Sequence, residues 1–520
     1  MDALINSFEI DNILSLKNKG DYVSALELIT EILNKSPMHI STSSAWGQLI
    51  NQPTIFNSIK EHDSNVLFVT SVMSLLNKIC DGINNDQAKI VSTAFLLGAQ
   101  FRLTAHSDIS LNNLMFERAK LFNRSNLVLI NQEYSFKTSV SNKWRPRMAI
   151  YFRHLAADPE TTSVLPFFYH AKSNGIEVIL FVLSDTINST FGKMLSNLSN
   201  RIICLSSDLS EAVQQIRKED LDIFLFGNDI TAKPSLGARL SFHRLARRSI
   251  ITVSTLATVA SEFVDEYFGS EYHNQRGKNK EFSESFISLP NPGFSFYMES
   301  DISNKLTIFI DKNKIGLPSN TIFLVSGANF TKLHNSLLDI WLDILKSLPE
   351  AVLFLYPFPP HFGPEQTIVI ARITNHFINS GIDPKRIIIL HQLPNKSSII
   401  SLLKQMDIGL DSFPYPGVTT MVDALIAGLP TITLESMTLR CSQGAAIVSS
   451  IGLNEVISSN HDDYCEKVVK LAKDSAYRDS LKVKINRAMA NNPSFLNVDA
   501  FSKACVKEYF RIHEELKALG

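Results

Sequence analysis

Residues 409–430 read GLDSFPYPGVTTMVDALIAGLP and hold the densest set of groups in the chain that suit an anion. A short apolar segment runs into the loop Phe413-Pro414-Tyr415-Pro416-Gly417. A helix is expected from Thr419-Thr420, with Met421, Val422, Leu425 and Ile426 at helical spacing and Gly428-Leu429-Pro430 as its stop. Strand, loop and helix start in that order point backbone N–H groups and the positive dipole end outward, which suits a phosphate. Thr420-x-x-Asp423 is equally well a capping box. Upstream, an apolar run leads into Ser326-Gly327-Ala328-Asn329-Phe330-Thr331-Lys332. There a glycine admits a ligand to the backbone, Asn329 offers an amide and Lys332 a point charge. A solvated lysine on a first helical turn is the plain alternative. Lys332, Asn329 and the helix start at Gly417, Thr419 and Thr420 together make a diphosphate site that needs no metal.

Other loops carry possible chemistry at the carboxyl ends of expected strands. Tyr356-Pro357-Phe358-Pro359-Pro360 is a rigid aromatic turn that either stacks a base or walls a cleft. His391-Gln392-Leu393-Pro394-Asn395-Lys396 joins the same edge, with Pro394 and Asn395 as further ligand-binding candidates. In the first half, Arg153-His154-Leu155-Ala156-Ala157-Asp158-Pro159 sets His154 and Asp158 at a strand end, candidates for deprotonating a nucleophile. Asp220-Leu221-Asp222 precedes a strand and reads as a surface turn rather than a metal site. Arg239, Arg244, Arg247 and Arg248 read as a solvated basic face on a helix.

The elements that must position these residues alternate. Residues 1–143 are expected to be all-helical, with one tetratricopeptide-like hairpin marked by Gly20-Asp21-Tyr22, Ala25-Leu26, Ile29 and Pro37 and no second copy at a period of about 34 residues. Apolar β-branched runs then fall at 148–152, 176–183, 201–205, 221–226 and 250–253, and again at 321–325, 351–356, 386–390, 408–410 and 431–434. Continuous apolar strands between helices imply parallel sheets covered on both faces. Two sets imply two doubly wound α/β domains, placed at 144–305 and 306–520, facing a cleft beyond the strands' carboxyl ends. An amphipathic helix at 500–519 is expected to cross the domain junction.

Composition excludes several classes. The chain has 520 residues, 45% hydrophobic and 19% charged, with room for about two to four domains. Lys plus Arg is 50 against 51 Asp plus Glu, so no bulk charge favours nucleic acid or an anionic membrane. Cys80, Cys204, Cys441, Cys465 and Cys505 are scattered, without metal-ligand spacing, and read as reduced thiols. The start, MDALINSFEIDN, has no signal-peptide pattern, and Thr, Ser and Glu break the apolar run at 250–264. A cytoplasmic protein without a membrane span is expected.

The motifs at 327–332, 351–363, 386–390, 409–430 and Leu434-Glu435-Ser436-Met437-Thr438-Leu439-Arg440 resemble the catalytic region of glycosyltransferase family 41. That family includes the O-linked N-acetylglucosamine transferases and the bacterial adhesin N-glycosyltransferases. Ser261-Glu262-Phe263-Val264-Asp265 and Gly269-Ser270-Glu271 are similar to the second branch, and Gly417-Val418-Thr419-Thr420 to the first. The resemblance implies a GT-B fold and an inverting, metal-independent transfer of a glucose- or N-acetylglucosamine-type hexose from a UDP-sugar to a side chain of an adhesin- or surface-protein-like acceptor. It implies that Lys332, Thr419 and Thr420 contact phosphate and that Asp423 binds ribose, with no cofactor beyond the donor substrate. The chain departs from the O-linked pattern at Val418, at 394–399 and at 254–258, and its His154 and Asp158 stand where that branch has the reverse pair. Two rival readings stay open: transfer to a glycan, lipid or small molecule, and a silent nucleotide-sugar-binding scaffold.

Overall fold

The computed structural model describes residues 7–35, 47, 50–51, 55–129, 134–137, 139–140, 144–155, 157–183, 190–298, 308–312, 314, 316–359, 366–391 and 393–519. Pro37, Ala156, Pro360 and Gln392, named above, lie outside them.

The chain begins with helices. Ser7–Asn18 and Tyr22–Lys35 form a hairpin turned at Gly20, whose φ of 77° is the left-handed region that glycine enters without strain. Ile59–Asp81, Asn85–Gly98 and Asn112–Arg124 follow. The first two of these are capped as their sequences dictate: Ser58 accepts from the backbone of Glu61 and Asn84 from that of Gln87.

Thirteen strands are described: β1 Arg147–Phe152, β2 Glu177–Val182, β3 Arg201–Cys204, β4 Leu221–Phe226, β5 Ala246–Thr252, β6 Glu266–Ser270, β7 Ser285–Leu289, β8 Ile322–Ser326, β9 Ala351–Leu355, β10 Ile387–Ile389, β11 Ile408–Leu410, β12 Thr431–Leu434 and β13 Ile457–Ser458. They form two parallel sheets, of order β3-β2-β1-β4-β5-β6-β7 and β10-β9-β8-β11-β12-β13. The ten expected runs are all strands. Glu266–Ser270, Ser285–Leu289 and Ile457–Ser458 extend the sheets beyond them; the first two are short and mixed in polarity, and the last has two residues.

Strand alternation explains how the first sheet is covered. Ala149 and Tyr151 face one side, where Phe224 and Phe226 join them in a core shared with the N-terminal helices; Phe122 stacks on Phe242 at 4.7 Å. Met148, Ile150 and Phe152 face the other side and pack with Phe501, Cys505, Tyr509 and Ile512 of the helix Val498–Leu519. That helix lies within the segment 306–520 but serves the first sheet, where it packs along Pro159–Phe168. The N-terminal helices are likewise one of the two covers of a sheet rather than an appendage.

The Asp220/Asp222 expectation is corrected. Asp222 is wholly buried in β4, accepting from the backbone N of Arg147 at 2.9 Å and from Arg247 at 3.3 Å, while Arg247 also meets Asp220 at 3.1 Å. The arginine expectation falls with it. Arg247 and Arg248 belong to a strand, and the β4–β5 register sets Arg247 beside Asp222. Arg244 pairs with Asp265 at 2.6 Å. These are buried or half-buried pairs, not a solvated helical face. Among the described residues no helix is long and apolar enough to cross a membrane.

Candidate functional site

β8 and β11 are neighbours at the centre of the second sheet, so the loops leaving their carboxyl ends meet. After β8, Asn329 accepts from the N–H and hydroxyl of Thr331 at 3.1 and 3.0 Å and so opens the short turn Phe330–Lys332. That turn aims Lys332 across to the other loop, where its Nζ donates to the carbonyl of Pro416 at 2.8 Å and sits 4.6 Å from the ring centroid of Tyr415. Burial lowers the lysine's pKa to about 8, against the pull of the neighbouring carboxylate of Asp411. The charge therefore lies directly before the helix Thr419–Ile426, beside its positive dipole end.

Asp411 builds the loop that Lys332 reaches. Its Oδ1 accepts from Gly417 N at 2.7 Å and Ser412 N at 2.9 Å, and its Oδ2 from Thr433 at 2.7 Å. Burial raises its pKa to about 6. Gly417 is needed at this approach: a Cβ there would meet Thr420 Oγ1 at 1.9 Å. The same test revises the reading of Gly327, where a Cβ would meet the Tyr356 ring at 2.3 Å. That glycine makes room for Tyr356, and Phe358 is buried in the domain core, so the aromatic turn is a wall.

The capping-box reading of Asp423 does not hold, because Val418 is the N-cap and no side chain caps this helix. Asp423 is buried and pairs with Lys396 at 2.9 Å; burial raises its pKa and Lys396 opposes the shift. Lys396 opens the helix Lys396–Leu403, whose N-cap Asn395 accepts from Ser398 N at 2.9 Å. Asn395 is thus engaged by its own helix, and exposed Pro394 precedes it.

Lys332, Asn329, Val418 and Thr419 line a cleft of about 750 Å³. Its opposite wall comes from the first domain, through Arg153, Glu160, Asp229 and Ser254, and its end wall from the N-terminal helical region, through Arg102 and His106. His154 and Asp158 are not among the lining residues. They meet at 3.3 Å, and Asp158 caps the helix Pro159–Phe168 by accepting from Thr161 N at 2.8 Å.

His106 was not foreseen from the sequence, and no local signal marks it. Its ring stacks on Tyr415 at 4.8 Å, on a tyrosine that Lys332 also approaches. Burial, with Lys332 nearby, pushes its pKa well below the usual value, so the imidazole is neutral at pH 7. Its buried Nδ1 has no hydrogen-bond partner among the described residues. The helical region is anchored here by Arg440, which donates to the carbonyls of Ala105 at 3.1 Å and Ser107 at 2.7 Å. Asp108 accepts in return from Met437 N and Thr438 N at 2.8 and 2.9 Å. No group of three or more His, Cys, Asp or Glu side chains suited to a metal occurs among the described residues.

Two doubly wound domains with a cleft at the carboxyl ends of their strands make this a GT-B glycosyltransferase fold. A mutant O-GlcNAc transferase from Thermobaculum terrenum superimposes with a TM-score of 0.66 over 99% of each chain at 16% identity. Residues 298–504 match the model of Glycosyl transferase family 41. A Petunia hybrida protein named as a probable UDP-N-acetylglucosamine–peptide N-acetylglucosaminyltransferase, SPINDLY, is 23% identical over 69% of the chain. The Arabidopsis thaliana protein SEC, with the same enzyme name, is 24% identical over 66% of it. The chain spans only 38% and 35% of those two relatives.

Proposed function

We propose that the chain is an inverting glycosyltransferase that moves a hexose from a UDP-sugar to a protein side chain, without a metal and in the cytoplasm. The observation that carries this reading is the Lys332 ammonium, drawn into the cleft beside the Thr419–Ile426 helix start. A charge there stabilises the phosphate as the glycosidic bond breaks and negative charge grows on it. The lysine and the helix end supply the positive charge that a divalent ion gives elsewhere. Thr419 and Thr420 are assigned to phosphate and Asp423 to ribose. The relatives' names favour N-acetylglucosamine as the sugar and a peptide as the acceptor.

The test is UDP release from a panel of UDP-hexoses in the presence of a peptide pool bearing Ser, Thr and Asn, with and without EDTA. Turnover with at least one donor, unchanged by EDTA, is the expected result; turnover lost in EDTA and restored by added metal would refute the metal-free mechanism. The placement of His154 and Asp158 off the cleft lining favours a second reading, a silent nucleotide-sugar-binding scaffold. Binding of UDP without any turnover would establish it.

A further inference from the structure

Displacing a diphosphate with a side-chain nucleophile needs a group to take the nucleophile's proton. Asp158 is committed to capping its own helix and to His154. Two other carboxylates, Glu160 and Asp229, line the cleft from the first domain, across from Lys332. Asp229 is the more heavily engaged of the two: its Oδ1 accepts from the N–H and hydroxyl of Thr231 at 2.9 and 2.6 Å, and its Oδ2 from Ala232 N at 3.2 Å. Glu160 is held but not saturated. One oxygen accepts from Asp229 N and the other from Arg153 Nη2 at 3.1 Å, which leaves lone pairs on a half-buried carboxylate of fixed orientation.

We propose that Glu160 is the general base that deprotonates the acceptor. This rests on the transferase reading above. In the step, a lone pair of the acceptor's O or N forms the bond to the anomeric carbon. The bond from that carbon to the diphosphate oxygen breaks with its electron pair leaving on UDP, and the acceptor's proton passes to a Glu160 oxygen. Position and environment agree. The residue sits on the acceptor side of the cleft, with the leaving-group charge at Lys332 on the other. Burial raises its pKa; the backbone N–H of Asp229, Arg153 and Asn228 lower it, and the Asp229 carboxylate raises it further. A carboxylate with its pKa raised is a stronger base than a free one. Arg153 on the loop after β1 and Asp229 on the loop after β4 are the charged groups facing it, and they pin the carboxylate rather than consume it.

The experiment uses the full chain, UDP-N-acetylglucosamine and the Ser/Thr/Asn peptide pool. Glu160→Gln should lower UDP release by roughly 10²–10⁴-fold while the Kd for UDP stays within about threefold. The wild-type kcat/KM should fall as pH drops through the pKa of Glu160, and that limb should vanish in Glu160→Gln. Azide needs no deprotonation, so it should restore UDP release to Glu160→Ala with a glycosyl azide as product, and should not restore Lys332→Ala. Peptide transfer by Glu160→Gln within about threefold of wild type would overturn the assignment. So would Glu160→Ala that binds UDP yet stays silent in azide. No UDP release by the wild type with any donor would instead overturn the transferase reading itself.

Discussion

The two strand edges that meet at the cleft are built in different ways. The edge of the second domain is self-contained: Lys332 bonds to Pro416, and Asp411 to Gly417 and Thr433, all within one sheet and its loops. The edge of the first domain is a composite. Its wall is continued by residues around His106 from the N-terminal helices, and the residues on either side of His106 are bolted to Arg440 of the second domain. The lesson is that the second domain's half of the cleft can be preorganised by short-range contacts alone, whereas the first domain's half depends on three parts of the chain arriving together.

Lys332→Ala is the sharpest test of the self-contained half. It should lower kcat by roughly 10²–10³-fold, the scale of removing one well-placed stabilising donor, with UDP affinity much less affected and the melting temperature nearly unchanged. The lysine must be protonated to work, and its pKa is lowered to about 8. In the free enzyme kcat/KM should therefore fall as pH rises through about 8, and Lys332→Arg should move that limb to higher pH. A flat profile between pH 7 and 9 would place the charge elsewhere.

Arg440→Met tests the composite half. It strips the backbone carbonyls at Ala105 and Ser107 of their donor and removes the cation beside Glu281 at 3.7 Å. A loss of about 3–5 kcal/mol is expected in urea unfolding, the scale of breaking a buried ion pair. Asp411→Asn should then separate loop order from stability. Its raised pKa means that the folded state binds more protons than the unfolded one between the ordinary 3.8 and about 6, so wild-type stability falls as pH rises through that window. The Asn variant should lose that slope, keep its stability within about 1 kcal/mol and bind UDP about tenfold more weakly. The smallest effect expected is for Asp423→Asn: about tenfold or less in UDP affinity, by calorimetry, with the melting temperature barely changed. Unchanged UDP affinity would reduce Asp423 to a partner of Lys396.

What could be read from the sequence follows the same division. The donor loops are short-range features, in which a strand, a Gly/Pro loop and a helix start are consecutive, and their residues could be named before any fold was known. A buried run such as Ala351–Leu355 declared itself by unbroken apolarity. The strand Ala246–Thr252 hid part of itself because Arg247 and Arg248 read as surface, and only the register beside Asp222 explains them. Thr420 and Asp423 mimic a capping box in one dimension, but the N-cap falls two residues earlier, at Val418. Arg440 meets Ala105 and Ser107, on either side of His106, across more than three hundred residues, and neither partner has a neighbour that announces the other.

The helix Val498–Leu519 crosses back to close a sheet whose last strand, Ser285–Leu289, precedes it by the whole of the second domain. During synthesis, then, the first sheet emerges with part of one apolar face uncovered, and it stays so while the second domain is made. Domains generally fold as units in the order they leave the ribosome, but here the second unit is finished first and the first is sealed afterwards. Until that seal arrives, the apolar surface that Phe501 and Tyr509 cover, Phe167 and Phe268 among it, is open to chaperones and to neighbouring nascent chains. A stop codon just before Val498 would accordingly injure the half of the molecule that was translated earliest.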